Sequence, residues 1–298
     1  MKAYKFCIIA LVLAIVLLIA PISESEAEIK TSGDYYYEIL DDYTAYIFRY
    51  NGKDEKVIVP EKLDGIRVTC IGDGAFSFCE NIKEITIPDS VQSIGDRAFS
   101  ECENLEEIEI PDSVQSIGDW AFSFCTNLKE ITIPDSVQSI GESAFFGCIN
   151  LTEITIPDSV QSIGKEAFYE CIDLTEIKIP DGVQAIGKSV FYKCGNLDEI
   201  TIPDSVQSIG NVAFAFCKKL TEITIPSSVQ SIGEYSFFRC TNLTEIKIPS
   251  SVNFIGKDAF KDCDNLTVTV EKGSFAEKYC QENNIKYMYE DSLDWLKN

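Results

Sequence analysis

Two residue types recur in this chain at a spacing that invites a chemical reading. Cysteines stand at Cys79, Cys102, Cys125, Cys148, Cys171, Cys194, Cys217, Cys240 and Cys263, each 23 residues from the last. Glutamates at Glu84, Glu107, Glu130, Glu153, Glu176, Glu199, Glu222 and Glu245 keep the same interval. A thiolate can attack a carbonyl or hold a soft metal, and two carboxylates can divide the roles of acid and base. Neither chemistry finds its second half here. The chain has no histidine, which removes the usual partner of a nucleophilic cysteine, the His-dependent triads and most zinc sites. No phosphate loop, dinucleotide fingerprint or nucleophile elbow occurs. The carboxylates always stand as repeats and never as an isolated apolar pair whose pKa values would be driven apart. The sequence therefore predicts a protein that is not an enzyme, with no catalytic residue, no metal centre and no cofactor.

A fixed period of this length is the mark of a stacked solenoid, in which each unit buries its apolar face against its neighbours. Stacking turns each repeated residue into a column. The cysteines would lie roughly 4.8 Å apart with parallel side chains, whereas a disulfide needs Cβ atoms near about 3.8 Å and a torsion near about 90°. Nine members are also an odd number. Buried free thiols acting as small hydrophobes are expected. The glutamates fall at an outward strand position, where like charges in register repel. Either they splay into water, with Lys83, Lys129, Lys178 and Lys247 diluting the field, or cations or a basic ligand neutralise them. Weak Ca²⁺ binding at this acidic face is the metal reading.

A second set of residues varies while the frame stays fixed: Phe78, Trp120, Phe124, Phe146, Tyr169, Tyr192, Phe216, Tyr235 and Phe238. Variation inside a copied unit is where recognition would be written, and clustered aromatics are typical of partner surfaces. The alternative is packing between neighbouring outer turns. Asn150-Leu-Thr152, Asn242-Leu-Thr244 and Asn265-Leu-Thr267 match the N-glycosylation rule, but Asn-Leu belongs to the repeat itself and chance explains them.

The elements that must position these rows can be read from one copy. In Leu105 to Leu128, the residues Leu105, Ile108, Ile110, Val114, Ile117, Ala121, Phe122 and Cys125 should point inward. The alternation through Ile108 and Ile110 predicts a short strand whose copies form a parallel ladder. Pro111 cannot donate to that ladder and ends it, and Asp112-Ser113 turns the chain away. Gly118 supplies a positive φ or a close approach. Asp119 to Phe124 has the length of about one helical turn on the outer side. Phe76, Phe99, Phe122, Phe145, Phe168, Phe191, Phe214, Phe237 and Phe260 would then stack as an interior spine.

Ahead of the repeats, the aromatic runs Tyr35 to Leu40 and Ala45 to Tyr50 read as strands joined by a turn, and Val57-Ile-Val-Pro60 as the strand of a degenerate first repeat. After Cys263 the pattern decays into a strand from Leu266, a capped helix over Ser274 to Asn283 and a last strand at Ile285 to Tyr289. The chain starts with a basic Met1-Lys-Ala-Tyr-Lys5, an apolar run from Phe6 to Ala20 and a small-residue site at Ser25-Glu-Ala27. That pattern predicts a secretory signal peptide cut before Glu28. An uncleaved anchor is the alternative, though fifteen apolar residues are short for a span. The expected division is residues 1–27 as signal peptide, 28–69 as N-terminal β cap, 70–265 as nine repeats and 266–298 as C-terminal cap. No membrane insertion is expected once the signal is removed.

Lys and Arg total 25 against 48 Asp and Glu, a net charge of -23. Such a field repels phosphate backbones and anionic lipid, which excludes nucleic acid and favours basic proteins or divalent cations as counterparts. A surface kept soluble by acid explains the same number.

With the repeat in hand, the frame Val-x-x-Ile-Gly-x-x-Ala-Phe-x-x-Cys-x-x-Leu-x-x-Ile-x-Ile-Pro resembles the BspA-like class of leucine-rich repeats. The lead-in Asp41-Asp-Tyr-Thr-Ala45 and the closing Gly273-Ser-Phe-Ala-Glu-Lys-Tyr-Cys280 are similar to that family's flanks, so the resemblance runs over about residues 34 to 290. It implies a leucine-rich-repeat horseshoe, with a parallel β ladder on one face and short helical turns and loops on the other. It also implies a secreted or cell-surface protein that binds host, matrix or other cell-surface proteins. The chain departs from the commonest leucine-rich repeat in having Ser113 where an Asn ladder would sit. It carries no sorting signal or lipid-attachment cysteine. The expectation is an extracellular, non-enzymatic solenoid mediating adhesion through the Glu84 to Glu245 column or the aromatic rows. The alternative is a structural, self-associating surface or matrix module.

Overall fold

The computed structural model describes residues 28–290. The predicted signal peptide, residues 1–27, lies outside the described residues. Each 23-residue unit makes one turn of a solenoid with three hydrogen-bonded sides. The first side is a row of short parallel strands from Lys56–Ile58 through Glu84–Thr86 and its copies to Glu245–Ile248, hydrogen-bonded in four successive groups. Its pairing keeps equivalent residues opposite one another, as in Ile85 with Ile108 and Ile131 with Ile154. The second side is made of two ladders of two-residue strands, Ser93–Ile94 to Ser162–Ile163 and Ala185–Ile186 to Phe254–Ile255, each in register.

The third side is the outer turn, and its backbone is unusual. Within one copy, Ser100 N donates to the Arg97 carbonyl (3.1 Å) and Cys102 N to that of Phe99 (3.3 Å). The intervening donors leave the copy: Arg97 N reaches Asp119 O, Phe99 N reaches Ala121 O and Glu101 N reaches Ser123 O, all at 2.8 Å. The expected single turn is therefore present, but it cannot propagate as a helix, because alternate N–H groups belong to the next copy. Two left-handed residues per copy aim them there, Arg97 (φ 54) and Glu101 (φ 62) in one, Trp120 (φ 60) and Phe124 (φ 58) in the next. Gly118 is not one of them. A Cβ there would sit 2.6 Å from the Gly95 carbonyl carbon, so this glycine serves a close approach between copies.

Between the three sides the phenylalanines form a continuous spine. Centroids from Phe76 to Phe260 are 5.2–5.6 Å apart, with planes within 17° of parallel. Tyr50 closes the first end, 5.1 Å from Phe76, and Tyr279 closes the last, edge-on to Phe260 at 6.2 Å. These two rings keep the terminal phenylalanines from water and so end the stack. The serine two residues after the proline does the work that an Asn ladder would do. Ser159, Ser205, Ser228 and Ser251 each donate to the valine carbonyl of the preceding copy at 2.7–2.9 Å.

At the N-terminal end, Tyr35–Ile39 and Ala45–Tyr50 pair antiparallel, and the latter passes into parallel pairing with Ile66–Ile71. At the C-terminal end, Thr267–Val270 lacks the proline and pairs with both Glu245–Ile248 and Tyr287–Tyr289. Helix Phe275–Glu282 lies between them. Ser274 accepts from Glu277 N at 3.2 Å while Glu277 accepts from Gly273 N at 2.6 Å, a reciprocal cap that fixes where the helix begins. Among the described residues no helix is long and apolar enough to cross a membrane.

Candidate functional site

The glutamate column is real and faces outward on the first ladder. Register pairs Glu84 with Glu107, Glu130 with Glu153, Glu176 with Glu199 and Glu222 with Glu245. All are exposed except Glu84, which is half-buried and bonded to Lys56 at 2.7 Å. Three of the neighbouring lysines make their ion pairs off the column. Lys83 pairs with Glu55 (2.8 Å), Lys178 with Asp158 (3.2 Å) and Lys247 with Glu290. These long side chains reach carboxylates outside the column. Among the described residues no ion pair reaches Glu107, Glu130, Glu153, Glu176, Glu199, Glu222 or Glu245. Midway along this face lies a groove of about 520 Å³ lined by Glu153, Thr155, Asp158, Glu176, Lys178, Glu199 and Thr201.

One carboxylate per strand makes a line, whereas Ca²⁺ takes about six to eight oxygens around a point. Among the described residues no three His, Cys, Asp or Glu side chains converge as metal ligands. The face is built to attract cations through its field.

The aromatic residues form a second row on the outer turns. Phe146 packs on Trp120 and Phe124, both at 5.3 Å, and stacks on Tyr169 at 4.5 Å and 4°. Tyr169 stacks on Tyr192 at 4.5 Å, Tyr192 meets Phe216 at 5.4 Å, Phe216 meets Phe238 at 5.3 Å and Tyr235 meets Phe238 at 5.7 Å. Cations cover several of the remaining faces, with Arg97 over Trp120, Lys193 over Tyr192 and Arg239 over Phe216 and Phe238. Every ring in the row is half-buried. Phe78 stands apart from it and is 69% exposed. Only Phe146, Tyr169 and Tyr192 stack face to face, and the other contacts in the row are tilted or edge-to-face.

The thiols are positioned for packing. Cys102 to Cys263 are buried and free, and Cys79 is half-buried. Each sulfur from Cys102 onward also donates to a phenylalanine carbonyl of the preceding copy, as Cys148 does to Phe122 O (3.1 Å) and Cys171 to Phe145 O (3.2 Å). Burial pushes the Cys148 thiol up to about 12 and those of Cys125, Cys171, Cys217 and Cys240 well above the ordinary range. Such groups stay protonated and are poor nucleophiles. The asparagine of the repeat is likewise structural in several copies. Asn104 donates to Glu80 O at 2.8 Å and Asn127 to Asn104 Oδ1 at 3.1 Å.

Compared with known families, the sequence matches the BspA type leucine rich repeat region, in six copies, over residues 42–172 and 143–267. The chain belongs to the BspA-type leucine-rich repeat family. Among solved structures this BspA-type chain is similar to a T. pallidum leucine-rich repeat protein, with 34% identity, a TM-score of 0.62 and coverage of 65% of this chain and 91% of that one. It is also similar to a leucine-rich repeat protein from Bacteroides ovatus, with 30% identity, a TM-score of 0.64 and coverage of 81% and 70%. A leucine-rich repeat protein from Eubacterium ventriosum shares the fold at 24% identity and a TM-score of 0.51, over 81% and 71% of the two chains. A search of curated proteins returns no match. Leucine-rich repeats of this kind are in general scaffolds for protein ligands. Every residue of the acidic column and of the packed aromatic row lies inside the span that carries the BspA-type pattern.

Proposed function

We propose that this protein works outside the cytoplasm as a non-enzymatic scaffold that adheres to other macromolecules, and that the first-ladder face is the surface it uses. One observation supports this reading above the others: seven exposed glutamates recur along one face with no ion pair to neutralise them among the described residues. Packing gives no return for such an arrangement, since like charges on adjacent strands destabilise the sheet. A basic protein surface laid along the face would relieve that repulsion and gain from the groove at Glu153 to Glu199. Charge complementarity of this kind raises the association rate and sets register more than it adds affinity. Ca²⁺ acts at the same face as a weak, competing counterion. The aromatic row contributes less, because its rings are half-buried against one another and under Arg97, Lys193 and Arg239.

The experiment is a binding screen of the mature chain against matrix and cell-surface proteins, run with and without calcium. A discrete basic partner whose binding weakens with salt and calcium supports the reading. Concentration-dependent self-assembly with no partner would instead favour a structural module whose repetition supplies many weak contacts.

A further inference from the structure

One interface between copies differs from the rest. Along the second side, Gly164 N donates to Ile140 O (2.9 Å), Gly210 N to Ile186 O (2.8 Å), Gln161 N to Gln138 O (2.9 Å) and Gln207 N to Gln184 O (2.8 Å). Between Ser162–Ile163 and Ala185–Ile186 both equivalents are missing, and the ladder divides there. The first ladder divides at the same level, between Glu153–Thr155 and Glu176–Lys178, keeping one long bond from Thr175 N to Thr152 O at 3.3 Å. It also divides at Glu107–Glu109 and at Glu199–Thr201, but there the second ladder is continuous. Among the described residues this is where both strand ladders open together. The outer turns stay bonded across it, with Phe168 N to Val190 O at 3.0 Å and Glu170 N to Tyr192 O at 2.8 Å.

The residues account for the gap. Val190 occupies the position held by Ala121, Ala144, Ala167 and Ala213 in other copies. Its Cγ2 would lie 3.3 Å from a Cβ built on Gly187, so two extra methyls wedge the turn away from the strand. Gly182 replaces the serine of the hydroxyl ladder and Ala185 the serine of the short strand, which removes polar ties at the same place. The strand accordingly stands off. A Cβ on Gly164 would be 2.4 Å from the preceding copy's backbone and one on Gly210 2.7 Å, but at Gly187 the nearest backbone atom is 3.4 Å away. Ile163 is half-buried where its counterparts Ile140 and Ile186 are 2% and 3% exposed.

We infer that the solenoid is jointed here: two stiff halves meet between residues 163 and 185 and pivot about the outer-turn ladder, which remains closed while both strand ladders open. The groove on the first ladder straddles the joint, with Glu153 on one half and Glu176, Lys178 and Glu199 on the other. The spacing of carboxylates is adjustable there, and a ligand that grips both sides would lock the joint by population shift. The joint itself rests on the backbone geometry and not on what binds.

Native-state amide hydrogen exchange on the intact chain tests it. Gln184 and Gly187 should exchange at least about tenfold faster than Gln161, Gly164, Gln207 and Gly210, while Phe168 and Glu170 stay protected. Val190→Ala combined with Ala185→Ser should bring the Gln184 and Gly187 rates down toward those of their neighbours. Equal protection at all the second-side amides, or no slowing in the repaired variant, overturns the joint. Loss of protection at Phe168 and Glu170 along with the rest also overturns it, since that is local unfolding without an axis.

Discussion

At the scale of single residues, the repeat is an economical set of matched partners. Phe145 is fully buried between Phe122 and Phe168, with its carbonyl accepting a thiol from the next copy. Phe145→Ala should therefore cost roughly 3–5 kcal/mol in urea denaturation, because the neighbouring rings are held by their own copies and cannot collapse into the cavity. The cysteines make a pH prediction. Burial raises the folded-state pKa of Cys148 to about 12, with Cys171 and Cys217 also well above the ordinary value. The unfolded chain loses these protons first, near pH 8.5 to 9, so it binds fewer protons than the native state and stability falls as pH rises. The contribution is fully present below about pH 8.5 and disappears on the way to about 12, with a slope of about 1.4 kcal/mol per pH unit for each thiol. Urea titrations from pH 8 to 10 should show this decline, and Cys148→Ala should make it shallower. A stability independent of pH over that range would mean the thiols are not sealed from solvent.

At the scale of elements, the period, the strand ended by proline and the phenylalanine spine were all legible, because each is written in residue types with strong structural meaning. The outer turn was legible as a single turn, but its left-handed backbone was not. Its left-handed positions hold Arg97, Trp120, Phe124, Ser143, Glu166 and Val212, and nothing in those residue types signals a positive φ. The cause is the backbone ladder to the next copy, which no single copy reveals. The thiol-to-carbonyl bonds were hidden for the same reason, and so was the diversion of Lys83, Lys178 and Lys247 to partners off the column. Of the candidate site, the glutamate column could be placed from spacing alone. The aromatic row was visible as variation, but the mutual stacking depends on rotamers and on the pitch between turns. That stacking sets a prediction at this scale. Phe146 touches Trp120, Phe124 and Tyr169, so Phe146→Ala should lower stability by roughly 2 kcal/mol, and Trp120→Ser with Tyr235→Ser should lower the melting temperature further. Full retention of stability in these variants would return the row to the status of a partner surface.

At the scale of the whole molecule, the fold sorts its functions by side. The interior spine and the outer-turn ladder carry stability, and the first ladder is left to display charge. The net charge of -23 gives the chain a long-range field that repels polyanions and draws in basic surfaces. The field is concentrated where the strands hold Glu107 to Glu245, which make no ion pair among the described residues. The measurement that tests this division most directly is the affinity, at low and moderate salt, of a basic partner taken from the screen for the native chain and for Glu153→Gln/Glu176→Gln/Glu199→Gln. These exposed substitutions should leave the circular dichroism spectrum and melting temperature intact or slightly improved, weaken binding by at least about tenfold and flatten its salt dependence. Unchanged affinity in the variant, with the same salt dependence as the native chain, would contradict the assignment of the acidic ladder as the binding face.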